Sequence, residues 1–80
     1  MGGYWVYATD GEAGRIEDIL FDDEWRQVLF LAVDVEEGLL AKQVLVAPRL
    51  VLRIDGVNSL VEVDLPCRVI KSSQEYKPAG

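Results

Sequence analysis

Between Gly14 and Ala47 the chain holds three apolar runs separated only by short acidic turns. Residues 14–22, 29–35 and 42–47 are rich in Ile, Leu, Phe and Val. Asp22-Asp23-Glu24 and Glu36-Glu37-Gly38 lie between them. Runs this short, bounded by turn residues and carrying no 3.6-residue period, read as strands. In the second of these runs, Leu29, Leu31, Val33 and Val35 share one face, and Phe30, Ala32 and Asp34 share the other. A strand apolar on both sides for most of its length is central in a sheet or covered by a partner.

The flanking sequence completes the pattern. Residues 4–8 are aromatic and β-branched and make a first strand. Thr9-Asp10-Gly11-Glu12 is a turn, with Gly11 able to take positive φ. In residues 14–22, Ile16 and Leu20 fall on one face and Ile19 and Phe21 on the other. Asp18, inside that strand, signals a bulge fixed by a local hydrogen bond. Gly14 serves the turn and the start of the strand. Leu39, Leu40 and Ala41 form a loop before the fourth strand, and Pro48 interrupts the ladder. Leu50, Leu52 and Ile54 alternate as a fifth strand. Asp55-Gly56-Val57-Asn58 closes a hairpin onto a sixth strand at residues 60–65. Pro66 starts a short helix over residues 67–71. A polar tail from Ser72 onward is expected to fray. The expected fold is all-β: a small barrel of about six short antiparallel strands with a C-terminal helical turn, one domain over residues 4–76, and a flexible tail at 77–80. Closing the sheet removes edges that so short a chain could not otherwise cover.

Composition narrows the function. Across 80 residues the net charge is -6, with no histidine and one cysteine, Cys67. That balance opposes phosphate backbones and anionic membranes. It also excludes an intrachain disulfide and a zinc site of the usual ligands. No apolar run approaches the roughly 20 residues of a membrane span, and no secretory leader is visible, so a cytoplasmic domain is expected. Cys67 has no histidine to act as its base, and beside Arg68 it reads as a small hydrophobe near the last helix. Asp22, Asp23 and Glu24, with Asp34, Glu36 and Glu37, could gather a hard cation through oxygen ligands. Their spacing does not fit a calcium loop, and solvated turns are the simpler reading. No phosphate-binding glycine loop is present. The expectation is no enzyme, no cofactor and no metal.

The order of motifs resembles the PRC-barrel family. The matching residues are Asp10-Gly11-Glu12, Gly14-x-Ile16-x-Asp18, Phe21-Asp22-Asp23, Trp25, Phe30-Leu31-Ala32-Val33-Asp34 and Val44-Leu45-Val46-Ala47-Pro48. Val61-Glu62-Val63-Asp64-Leu65, Ile70 and Ser72-Ser73 follow in the same order. The resemblance spans residues 4–76 and departs at Leu39-Leu40, where the family has an aromatic. Best-known relatives are the cytoplasmic part of the photosynthetic reaction centre H subunit and a ribosome-maturation factor. The membrane helix of the one and the RNA-processing domain of the other have no counterpart here. The resemblance implies a small β-barrel used as an adaptor for protein contacts.

Apolar surplus points the same way. Leu29, Leu31, Val33, Val44, Val46, Leu50, Leu52, Val61 and Val63 can fill one small barrel. Phe21, Trp25, Phe30, Ala32, Leu39, Leu40 and Leu45 are then left for the outside or the loops, where a contiguous patch marks an interface. The expectation is a homodimer pairing the third and fourth strands across a twofold axis, with a basic or apolar protein as a further partner. The alternatives are an ion- or ligand-binding regulatory domain using the acidic turns, and a protein-binding factor linked to ribosome or RNA maturation.

Overall fold

The computed structural model describes residues 3–24 and 26–77, the Glu37 side chain excepted. Six strands make one sheet. They are β1 (Trp5–Ala8), β2 (Gly11–Asp22), β3 (Gln27–Glu37), β4 (Leu40–Val46), β5 (Val51–Asp55) and β6 (Leu60–Val63), in the order β4-β3-β2-β1-β6-β5. One short helix among the described residues, α1 (Cys67–Lys71), follows. Strands and helix stand near where the sequence pattern puts them, but Gly11 and Glu12, expected in a turn, open β2, and Leu40 and Ala41, expected in a loop, open β4. Leu50 lies in a 3-10 turn, and β6 ends at Val63 rather than at residue 65. A further correction is in direction: β1 and β6 run parallel, while every other pair is antiparallel.

The sheet has to curl. β4 and β5 lie at its opposite edges, yet residues 47–50 alone join them, including a 3-10 turn at Pro48–Leu50. A flat sheet of six strands would hold its edges roughly 24 Å apart. The connector can reach at most ~18 Å even fully extended. The edges are therefore drawn together into a barrel, and its interior holds the core: Val6, Ala13, Ile16, Leu31, Val33, Val35, Val44, Val46, Val61, Val63 and Ile70.

Four bulges decide which side chains enter that interior. The pairings Val6↔Gly14 and Tyr7↔Glu12 leave Ala13 as an extra residue in β2. Ile16↔Val33 and Asp18↔Ala32 leave Glu17 extra, so Ile16 and Ile19 both face inward, rather than Ile16 and Leu20. Leu20↔Phe30 and Phe21↔Val28 leave Leu29 extra in β3. Val51↔Val63 and Arg53↔Glu62 leave Leu52 extra in β5. Each inserted residue reverses the in–out alternation beyond it. Leu29 and Leu52, expected in the core, are exposed for this reason, and Val28, Val51 and Ile54 turn toward the interior instead.

Gly14 sits where β2 passes close against the β3 backbone at Asp34. A Cβ there would lie 2.2 Å from the Asp34 carbonyl oxygen, inside any tolerable contact. Gly11, at φ +140°, occupies backbone space that side chains rarely reach.

Candidate functional site: the two ends of the barrel

One end of the barrel is closed by chain remote in sequence. Pro66, with no side-chain acceptor of its own, precedes α1. The missing acceptor comes from the β1–β2 turn, where Asp10 Oδ1 accepts the Cys67 N–H at 2.8 Å. That bond is the main reason the Asp10 carboxyl is held below its ordinary value of 3.8. The Cys67 Sγ lies 3.6 and 3.5 Å from the carbonyl oxygens of Gly11 and Glu12. Burial, reinforced by Asp10, pushes its thiol above the ordinary value of 9.0, which disfavours the thiolate. Ile70 is fully buried, anchoring α1 in the core.

Beyond α1 the chain does not fray as its polarity suggests. Leu45 N–H donates to the Gln74 carbonyl at 2.9 Å, and Tyr76 N–H to the Gln43 carbonyl at 2.7 Å, an antiparallel bridge centred on Val44 and Glu75. The tail therefore occupies the free edge of β4. In the described residues only Lys77 remains of the tail expected at 77–80.

The other end is open. The β2–β3 hairpin runs past the point where β4 stops, because β4 pairs with β3 only from Leu31 onward. Among the described residues, 27–30 of β3 thus have β2 on one flank and no strand on the other. β5 is likewise paired on one side, by β6. Between these flanks lies an apolar cavity of about 450 Å³, lined by Tyr4, Ile16, Ile19, Val28, Leu31, Pro48, Val51, Ile54 and Val61. Ile54 on its wall is 66% exposed, and Phe21, paired with Val28 on the same face, is 59% exposed. Asp22, Asp23 and Glu24 stand at the hairpin tip, with Arg26 beside them.

The residues expected to form one interface are dispersed over these regions. Phe21 is at the open end. Leu39 and Leu40 are highly exposed at the β3–β4 turn, beside the closed end. The separation along β3 is on the order of 25–30 Å. Phe30 is 40% exposed on the outer face, and Leu45 is half-buried on that face. Ala32 corrects the expectation of an outward contact: it is fully buried. It is flanked along β3 by Phe30 and Asp34 and across by Asp18 and Leu45, all longer than its methyl group. Trp25 lies outside the described residues. Asp18 sits at the Glu17 bulge, where its Oδ1 accepts the Ile19 N–H at 2.8 Å.

Sequence reasoning missed the open end altogether. The bulges at Leu29 and Leu52 aim Val28 and Ile54 into it, and only the pairing register reveals them. Among the described residues no group of three or more Asp, Glu or Cys side chains is gathered to hold a metal ion. No described helix is long and apolar enough to cross a membrane. No curated protein matches the chain. The model of the PRC-barrel domain matches residues 2–67. The chain belongs to the PRC-barrel family, whose domains are generally protein-interaction modules and typically non-catalytic.

Proposed function

We propose that this PRC-barrel domain is a non-catalytic adaptor that self-associates as a homodimer through the outer face of β2, β3 and β4. The observation that carries the reading is Phe30. It is 40% exposed on the outer face, opposite Leu20 across the β2–β3 pair, and next along that face to Ala32, which pairs with Leu45 across β3–β4. Ala32 forms the floor of the apolar strip these residues make. Leu29, bulged out of β3, extends it.

A face-to-face contact fits better than joining β4 edges, because the tail already bonds the β4 edge at residues 43 and 45. A standard interface takes about 800 Å² from each partner. The strip is its apolar centre, worth about 25 cal/mol per Å² buried, less the cost of association. Asp18 and Asp34 flank the strip. With a net charge of -6 on each copy, like charges oppose the dimer. Screening should therefore tighten it as the Debye length falls from about 10 Å near 0.1 M salt to about 3 Å near 1 M.

Light scattering at micromolar concentration tests the reading. A dimer that becomes monomeric on Phe30→Asp is expected. A monomer at every concentration and salt would overturn it.

A further inference from the structure

We propose that the open seam between residues 27–30 of β3 and β5 receives an extended segment of a basic partner protein, which adds as a strand and completes the barrel. This surface is separate from the outer strip of Phe30: it is the inner face and the unpaired backbone flanks at the mouth of the cavity.

Three observations converge on it. First, among the described residues neither flank has a strand paired to it on the seam side, and the element against β3 beyond Val46 is the short 3-10 turn at Pro48–Leu50. Unpaired strand flanks are templates for another strand, and main-chain bonds supply the affinity in strand addition. A purely apolar small molecule could fill the cavity but would leave those N–H and C=O groups unmatched.

Second, the inward side chains beneath the seam are Val28, Leu31, Val51 and Ile54. An incoming strand sends every second side chain to that face. The segment therefore alternates apolar residues, pointing into the cavity, with residues of free choice pointing out. Its direction follows from the ladder. β4 runs antiparallel to β3, and a strand continuing that position does the same, parallel to β5 on the other side.

Third, this polarity carries the C-terminal end of the segment to the hairpin tip. There Asp22, Asp23 and Glu24 outnumber Arg26. On the other wall of the cavity Arg53 is engaged by Glu62, Nε to Oε2 at 2.6 Å, and Arg49, beside Pro48, is exposed, so the acidic excess lies at the hairpin tip. The complementary ligand carries lysine or arginine after its apolar alternation, not before it.

Charge and shape both disfavour a second copy as the occupant. Each copy carries the same charge of -6. A folded copy could offer only a strand edge that already has a neighbour, which would have to enter the same seam.

The test is titration of the intact domain, by calorimetry, with a synthetic peptide of alternating valine and threonine ending in a run of lysines. Saturable binding is expected. Moving the lysines to the N-terminus should weaken it about tenfold, or ~1.4 kcal/mol. Ile54→Asp should weaken it by at least about as much, and circular dichroism checks that this exposed substitution leaves the fold intact. N-methylating alternate peptide amides should abolish binding without altering any side chain or the protein. The proposal is overturned by the absence of saturable heat up to about 1 mM peptide, or by equal binding of the N-methylated peptide. It is also overturned if peptide binding splits a dimer, which would make a second copy the natural occupant. Monomeric protein that still binds the peptide would sink the homodimer and leave the seam standing.

Discussion

The two ends of this barrel are built from similar residues and finished differently. At the closed end, a turn after the first strand and a helix after the last are tied by Asp10 and Cys67. Ile70 fills the interior, and the tail covers the β4 edge. At the open end the β2–β3 hairpin outruns β4, the strand flanks stay bare, and valine and isoleucine side chains line a cavity. An 80-residue chain buries a limited share of its surface. Here that burial is concentrated at one end, and the opposite end is left for contact.

The largest contrast should come from matched isoleucines. Ile70→Ala removes a fully buried side chain at the closed end and should cost about 2–5 kcal/mol in urea unfolding. Ile54→Ala, at the open end and 66% exposed, should cost less than about 1 kcal/mol. Equal losses would erase the distinction between the ends.

Gly14→Ala comes next. Its new Cβ would press on the Asp34 backbone, and overpacking of that kind costs roughly 1–3 kcal/mol. An unchanged denaturation midpoint would mean that β2 and β3 can separate freely.

A smaller effect depends on pH. The Asp10 carboxyl is held below 3.8 by its bond from Cys67. Its contribution is present above the unfolded value and is lost as pH falls through the folded one. Asp55, held low by Asn58 and the Val57 N–H, behaves alike. Melting temperature should therefore fall on acidification below pH 3.8. Asp10→Asn should flatten part of that fall, with lower stability at neutral pH. An identical acid profile in the variant would show that the staple contributes nothing through its charge.

Leu39→Ser should do least. Leu39 is fully exposed at the β3–β4 turn, and its loss should change stability by no more than about 0.5 kcal/mol. A large loss would mean that the turn is covered by another molecule.

Element existence was legible because turn residues bracket each strand. The helix at Cys67–Lys71 was legible from Pro66, and the family from the order of short motifs. Facing was less legible. Strict alternation sends Leu29 and Leu52 inward, but one extra residue in β3 and another in β5 reverse them. Only Asp18 hinted at a bulge, and the other three carry no comparable mark. The parallel β1–β6 pairing and the tail on β4 are long-range contacts that no local pattern encodes. Ala32 reads as surplus apolar surface because alternation gives its face but not the longer neighbours that cover it there. The candidate contact surface was therefore legible in composition, as an excess of apolar side chains, and illegible in position.

The central claim is that this excess is displayed for another protein chain, first of all a second copy. Sedimentation equilibrium of the wild-type domain and of Phe30→Asp, at low and high salt, tests it most directly. The account predicts twice the 8.9 kDa chain mass for the wild type, favoured by salt, and a single chain mass for the variant. A wild-type chain that stays at 8.9 kDa at all concentrations and salt levels would contradict it.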